Sequence, residues 1–349
     1  MNFETRDFFF REEDKPIVIA EVGVNHNGDP LLARKMVDSA KEAGADVVKF
    51  QAFKSEKEIS RYAPKAAYQE KAMQGTGNQL EMCKALELSP SVLREMKEYC
   101  ASVSMPFLCT AFEFDSVDLL VDELRLNTIK IPSGEITNIP LLKYAGAKRK
   151  GIVLSTGAST LAEVRKAIET LKNAGTKEIL LFHCVSSYPA PCDQVNLRAM
   201  ITLKRTFGLP VGYSDHTLGN HAALSAAALG AAAIEKHFTL DRTMTGPDHQ
   251  ASIEPHELKE LVQGVCIVHQ ALGTGVKEPA PCEAPNLPLI RKSLVAGRDL
   301  TKGTRLQIDM IEIKRPANGI EPGDLEKVLG LTLKHDLKED MPLQWEDLA

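Results

Sequence analysis

The chain has 349 residues, 44% of them hydrophobic, and a formal net charge of −5. That length suits one large domain plus a small one, and the ordinary apolar content calls for a large core. The acidic balance, with no basic run and no interleaving of basic with aromatic residues, excludes a broad field for nucleic acid, so an anionic ligand needs positive charge local to its site.

Met1–Lys15 is charged and aromatic and reads as an N-terminal extension, residues 1–15. Ile17–Ala20 is the first strand, ending in Glu21-Val22-Gly23-Val24-Asn25-His26-Asn27-Gly28. Leu31, Ala33 and Val37 give Pro30–Ala43 helical spacing. Asp46–Gln51 is the second strand. A long polar segment through Asn78 and a short helix, Leu80–Ala85, follow. Pro90–Val103 is a helix with Ser89 as N-cap and Pro90 in its first position. Pro106–Thr110 is the third strand, Ser116–Leu124 a helix, Thr128–Ile131 the fourth strand. Leu141–Ala147 is a helix and Ile152–Ser155 the fifth strand. Thr160–Asn173 is a helix opened by Ser159 or Thr160, with Glu163 placed for a capping box. Ile179–Cys184 is the sixth strand, Leu197–Thr206 a helix, Val211–Tyr213 the seventh strand. An alanine-rich helix within Asn220–Gly230 leads to the eighth strand, Ala233–Lys236, and Pro255–Leu272 is the closing helix.

Short continuous apolar runs fit parallel strands buried on both faces. Eight such strands alternating with eight main helices in roughly 250 residues is the count and size of a (β/α)8 TIM barrel, over residues 16–275. An open doubly wound sheet is the alternative, but Glu21–Gly28 is not its glycine-rich phosphate loop. The longest apolar stretch, Ala222–Ile234, is mostly alanine and too short to span a bilayer. The start lacks an apolar signal core, and the seven cysteines contain no Cys-x-x-Cys pair. Both features fit a cytoplasmic protein without membrane association.

Every strand ends in chemically capable residues: Glu21; Lys49 and Gln51; Thr110; Lys130 and Ser133; Ser155 and Thr156; His183 and Ser186; Ser214 and His216; Glu235 and His237. In a barrel these ends open on one face, where active sites sit. Lys49 and Lys130 lie within strands and, if inward, need an anion or carboxylate partner; outward, they would snorkel between helices. The strand–helix–strand unit from Gly212 to His237 places His216 and His237 side by side. Two imidazoles with carboxylates nearby can hold a divalent metal, or simply pack and hydrogen-bond at the rim.

After Leu272 the composition shifts. Residues 276–288, within the Gly- and Pro-rich stretch Gly273–Pro288, read as a linker. Residues 289–349 alternate short strands with turn signals, a small mainly β domain of a size that is marginal alone. Arg315, in a loop held by Pro316 and Gly319, reads by itself as a solvated surface residue.

Taken together these motifs resemble the bacterial sialic acid synthase family, which includes N-acetylneuraminate and N,N'-diacetyllegionaminate synthases. The resemblance rests on Ile19–Gly28, Val48-Lys49-Phe50-Gln51, Lys130-Ile131-Pro132-Ser133-Gly134-Glu135, Leu154-Ser155-Thr156-Gly157, Ser214-Asp215-His216, Glu235–Asp241, Gly246-Pro247-Asp248 and Lys314–Gly319, in family order over nearly the whole chain. The tail resembles the antifreeze-like (SAF) domain. The resemblance implies condensation of phosphoenolpyruvate with an open-chain N-acetylated mannose-type sugar, N-acetylmannosamine or 2,4-diacetamido-2,4,6-trideoxymannose, plus water. The products are a nine-carbon 2-keto sugar acid and phosphate.

It further implies a Mn²⁺ or Mg²⁺ ion on His216 and His237, Glu21 as the residue that positions or deprotonates the water, and Glu235 as a second catalytic carboxylate. Lys49, Thr110, Lys130, Ser133, Ser155, Ser186 and Ser214 match phosphoenolpyruvate contacts, and Gln51, Asn78, Tyr188 and Asp248 match sugar contacts. Arg315 matches an arginine that reaches the sugar from the partner subunit, which implies a homodimer with swapped SAF domains. Two departures stand out: Ser186 where some members carry Asn, and Cys109-Thr110-Ala111-Phe112 in place of Ser-Thr-Pro-Phe. Two rival readings are a Schiff-base aldolase using Lys49 or Lys130 on pyruvate, and a carbohydrate- or ice-binding protein suggested by the tail alone.

Overall fold

Eight parallel strands close into a barrel in chain order, the last pairing with the first. They are β1 (Ile17–Gly23), β2 (Val47–Ala52), β3 (Phe107–Ala111), β4 (Thr128–Ile131), β5 (Gly151–Ser155), β6 (Ile179–Cys184), β7 (Val211–Asp215) and β8 (Ala233–His237). The computed structural model describes residues 3–4, 9–10, 14–65 and 78–349. Most of the expected N-terminal extension, and residues 66–77 of the polar segment before Asn78, therefore lie outside the described residues. Among the described residues no helix is long and apolar enough to cross a membrane.

The helices form where caps and apolar spacing coincide. In α1 (Pro30–Glu42) the Asp29 side chain accepts from Leu31 N, and Ala33, Met36, Val37 and Ala40 face the core. In α2 (Pro90–Ser102) Ser89 caps Val92 N, as its position predicts. α3 (Phe114–Asp118) starts two residues earlier than expected because the Glu113 side chain accepts from Asp115 N and Ser116 N, and it runs into a π-turn, Leu119–Glu123. Glutamate is a rarer cap than Ser, Thr, Asp or Asn, so the sequence pattern misses it. After α4 (Ile139–Ala147), α5 (Leu161–Ala174) opens with the Thr160/Glu163 capping box and buries Val164, Ala167, Ile168 and Leu171. The ring closes with α6 (Arg198–Phe207), α7 (His221–Ala228) and α8 (Pro255–Leu272).

Two cores result. Outward strand residues such as Val18, Ala20, Val48 and Phe50 join the apolar helix faces in the larger one. Inside the barrel Ile19, Val47, Leu108, Val153, Leu180, Phe182 and Ala233 pack as a separate apolar floor. Gly212 belongs to that floor by its absence of a side chain: a methyl group there would collide with the Phe182 ring and the Ala233 carbonyl.

The chain divides into two compact units, Met1–Gly273 and Thr274–Ala349. The second has its own core of Leu294, Leu306, Ile320, Val328, Leu333 and Leu343. It is less regular than the alternating pattern suggests. Its sheet is one antiparallel pair, β9 (Ser293–Ala296) with β10 (Ile311–Lys314), extended by single bridges such as Leu300 with Leu337. The stretch read as a linker carries a turn, Pro281–Glu283, and a short helix, Leu287–Ile290.

Candidate active site

Period-two alternation decides what the barrel mouth contains. One step up from the apolar floor, the same inward rows give Glu21 above Ile19, Lys49 above Val47, Thr110 above Leu108, Ser155 above Val153, and Glu235 above Ala233. Lys130, Ser214 and His237 join them around a cavity of about 280 Å³ at the C-terminal strand ends. The β1–β2 register shifts between Glu21 and Gly23, a bulge beside the site. A Cβ on Gly23 would sit tight against Glu21 Oε1 at 3.3 Å and in contact with Gln51 Nε2 and His237 Cε1 at 3.4 and 3.5 Å, and the left-handed backbone there (φ +56°) favours glycine.

Four buried charges form the base of the cavity. Lys49 Nζ lies 2.7 Å from Glu21 Oε2 and 3.5 Å from Glu235 Oε2, and donates to Thr110 Oγ1 at 3.0 Å. Lys130 Nζ donates to Glu235 Oε1 at 2.5 Å, where Ser214 Oγ also donates at 2.8 Å. Both lysines thus point inward, against carboxylates. Burial pushes the Glu235 carboxyl up, but Lys130 and Lys49 outweigh it and hold the group ionised, well below its ordinary value. For Glu21 burial wins over the opposing pull of Lys49, and Glu235 adds to it, so this carboxyl is raised. Burial lowers Lys130 despite Glu235, whereas Glu21 and Glu235 overcome burial and raise Lys49. Two carboxylates on one site are thereby driven apart in basicity, a pattern typical of acid–base chemistry.

Beside them is a hydroxyl-lined hollow. Gly157 N donates to Ser133 Oγ at 2.9 Å, and Cys184 Sγ lies 3.2 Å from the same hydroxyl. A Cβ on Gly157 would occupy the space between Ser186, Ser133 and Cys184. Among the described residues Ser155 Oγ is buried with no hydrogen-bond partner. Small hydroxyls, a glycine and the Lys130 ammonium around one space suit a compact anion.

His216 and His237 stand with ring centroids 5.5 Å apart. His216 Nδ1 is 2.8 Å from the Val185 carbonyl. A carbonyl only accepts, so Nδ1 carries the proton and Nε2 keeps its lone pair. Among the described residues His237 Nδ1 is buried with no hydrogen-bond partner, 3.7 Å from Asp248 Oδ2. Burial lowers His216 to about 4, and burial together with His216 takes His237 well below its ordinary value, so both imidazoles are neutral near pH 7. Among the described residues no group of three or more His, Cys, Asp or Glu is arranged to hold a metal. Two neutral imidazoles, one with its tautomer fixed by a carbonyl and one with an unpartnered buried nitrogen, fit a divalent ion that completes its shell from substrate or water.

Of the expected sugar contacts, Gln51 donates to Glu21 Oε1 at 2.8 Å, and the Tyr188 ring lies 4.2 Å from that of His216. Asp248 lines the cavity, its carboxyl raised to about 7 by burial and then by Glu21. Asn78 does not line it: its side chain caps the helix Gln79–Lys84 through Glu81 N and donates to the Arg61 carbonyl. Arg315 is exposed, at the end of β10 in the second unit. Nor do all strand ends contribute. His183 turns away to the Val195 carbonyl and stacks on Tyr213, and Thr156 donates to the Phe182 carbonyl. Phe53, Ile59, Met82, Leu86 and Phe112 add an apolar wall that motif reading does not find, since such residues look like any core residue in sequence.

Residues 36–277 match the NeuB family and residues 291–349 the SAF domain. The chain is 48% identical to the N,N'-diacetyllegionaminic acid synthase of Campylobacter jejuni, over 93% of this chain and 98% of that one. It is 43% identical to the protein of the same name from Legionella pneumophila, over 95% and 94%. Among solved structures it resembles the N-acetylneuraminic acid synthetase of Leptospira borgpetersenii in complex with citrate. That likeness has a TM-score of 0.73 and 33% identity, covering 82% of this chain and 95% of that one.

Proposed function

The chain belongs to the NeuB family, and on that premise we propose that it joins phosphoenolpyruvate to the aldehyde of an open-chain N-acetylated mannose-type sugar. The observation that carries this reading is the pair of buried lysines, Lys49 and Lys130, set between carboxylates of divergent basicity beside the Ser133–Gly157 hollow. Phosphoenolpyruvate is a compact trianion. The hollow and Lys130 suit one of its anionic ends, and Lys49 with Thr110 suits the other. A divalent ion on His216 and His237, Mn²⁺ or Mg²⁺, would supply Lewis-acid polarisation of the sugar aldehyde.

The enol carbon attacks the aldehyde carbon, and positive charge develops at the phosphate-bearing carbon. Glu235, held ionised, faces that charge. Water adds there, and Glu21, whose raised basicity suits proton uptake, takes the water's proton. The tetrahedral centre then collapses to the 2-keto acid, its hydroxyl proton leaving with the expelled phosphate. The proton taken up by Glu21 balances the alkoxide on the former aldehyde carbon, which ends as a hydroxyl. Gln51 orients Glu21, and Tyr188 and Asp248 border the sugar.

Of the two sugars, 2,4-diacetamido-2,4,6-trideoxymannose fits better. The apolar wall of Phe53, Ile59, Met82, Leu86 and Phe112 suits a C6 methyl and an acetamido methyl. Hydroxyls against the same wall would lose hydrogen bonds to water. Two matched relatives are named for the corresponding product. The swapped homodimer, with Arg315 reaching the partner's sugar, belongs to the same reading, as does a cytoplasmic setting. Phosphate release from phosphoenolpyruvate, measured with each sugar in turn, tests the assignment. Release with the diacetamido sugar in clear preference to N-acetylmannosamine is expected. No release with either refutes the condensation, and equal kcat/KM values refute the role of the wall. The Schiff-base alternative is separated by borohydride with pyruvate, which should leave mass and activity unchanged.

A further inference from the structure

The outer face of the two histidine-bearing strands carries an ion pair that the condensation does not use. Lys236 and Asp215 are direct cross-strand partners between β8 and β7. Each immediately precedes or follows the chemistry in sequence: Asp215 comes just before His216, and Lys236 just before His237. Alternation sends the histidines inward and this pair outward, beneath the helices. Both are 1% exposed, and their neighbours Tyr213 and Thr217 are as deeply buried, at 1% and 0%.

Every polar atom of the pair has a stated task. Lys236 Nζ donates to Asp215 Oδ2 at 2.6 Å and to the Thr217 carbonyl at 2.8 Å. Asp215 Oδ1 accepts from Thr217 N at 2.9 Å and from Tyr213 OH at 3.1 Å. Thr217, the residue after His216, is therefore fastened at both its N–H and its carbonyl. The residue before His216 is fastened to the neighbouring strand. The peptide that carries His216 is pinned on both sides, relative to the strand that carries His237.

Stability alone does not account for such an arrangement, because a buried ion pair is often no better than apolar residues of the same volume. What it supplies is geometry. A two-histidine site has few protein ligands, so the spacing of the two imidazoles must be set by the backbone. We propose that Asp215 and Lys236 are positioning residues that fix the spacing of His216 and His237 for the divalent ion. The inference rests on the reading of those histidines as metal ligands.

The test uses full-length protein stripped of metal, titrated with Mn²⁺ by calorimetry and assayed for condensation. Lys236→Met alone leaves the Asp215 charge buried and unpaired and is expected to destabilise the fold. The double variant Asp215→Asn/Lys236→Met removes both charges at nearly constant volume and is the informative one. Tyr213→Phe, which deletes one hydrogen bond to Asp215, is a milder second variant that keeps the fold. The double variant should bind Mn²⁺ at least tenfold more weakly. Its kcat at saturating metal should fall at least tenfold, while KM for phosphoenolpyruvate moves less than threefold. Tyr213→Phe should weaken Mn²⁺ binding two- to threefold. A folded double variant, or Tyr213→Phe, with wild-type Mn²⁺ affinity overturns the proposal, leaving the pair a structural element. Wild-type protein that binds no Mn²⁺ overturns the metal reading itself, and the proposal with it.

Discussion

The floor and the mouth of the barrel are built from the same strands, two residues apart, with opposite chemistry. Val47 and Leu108 below are apolar and tightly packed; Lys49 and Thr110 above are polar and paired with each other. The floor gains free energy by excluding water, whereas the mouth spends some by burying Lys49 and Glu21 at 2% and 1% exposure. Burial of charge is tolerated only because each ammonium meets a carboxylate, and the pairing is what shifts their basicities. Stability and chemistry are thus separated by depth within each strand, and each layer can be broken without the other.

The largest effect is expected at the top. His216→Ala or His237→Ala should cost on the order of a thousandfold in kcat, ~4 kcal/mol of transition-state stabilisation, because one imidazole cannot hold the ion. Melting temperatures should stay within about 4 °C of wild type, since neither ring belongs to the apolar floor. Full turnover after exhaustive chelation would count against the metal in both cases. The converse change is Leu180→Ala in the floor. It should cost about 2–5 kcal/mol in denaturant unfolding, because a large side chain leaves a cavity that close-packed neighbours cannot fill. Both Michaelis constants should be unchanged in the folded enzyme; a selective rise in one would mean that the layers are coupled.

Lys130→Met sits at the boundary and sharpens the comparison. Losing a charge-assisted contact should cost about 1.5–3 kcal/mol, or about 10- to 150-fold in KM for phosphoenolpyruvate. The constant for the sugar should move far less, and equal changes in both would remove Lys130 from the anion site. Its ammonium also lies 5.2 Å from the Phe182 ring centroid, so the floor supports this lysine directly.

Strand order and the inward rows are legible in the sequence because short apolar runs with polar ends recur at regular spacing, and parity then fixes which residues share a face. What parity cannot give is the direction of a side chain past the last strand residue. Thr156 and His183 look as capable as Ser155 and Ser186, yet both turn back to main-chain carbonyls. Asn78 looks like a contact residue and is a helix cap. Met82, on the helix Gln79–Lys84, and Leu86, in the turn just past its end, enter the cavity wall, and no local pattern announces that docking. Asp215 and Lys236 are visible as motif letters, but their partnership depends on the β7–β8 register, which only the closed barrel sets.

The smallest expected effect, and the one that reaches beyond the barrel, concerns Arg315. Its loop is well braced. Ser293 Oγ donates to the Pro316 carbonyl and accepts from Asn318 N and Gly319 N, each at 2.9 Å. A side chain on Gly319 would strike the Leu343 carbonyl and Pro342, so the close approach requires glycine there. One buried hydroxyl therefore presents an exposed arginine on a rigid turn, with little ordering cost left for binding. Arg315→Ala should raise KM for the sugar about tenfold, ~1.4 kcal/mol, with little change for phosphoenolpyruvate. Ser293→Ala should do the same more weakly by loosening the turn. Whether the arginine acts across subunits is decided by mixing Arg315→Ala with His216→Ala chains. In a swapped dimer one barrel then has both histidines and receives an intact arginine, so its KM for the sugar should fall back about tenfold, toward the wild-type value. Mixed dimers that form but keep the raised KM of Arg315→Ala would mean that Arg315 serves its own barrel or none.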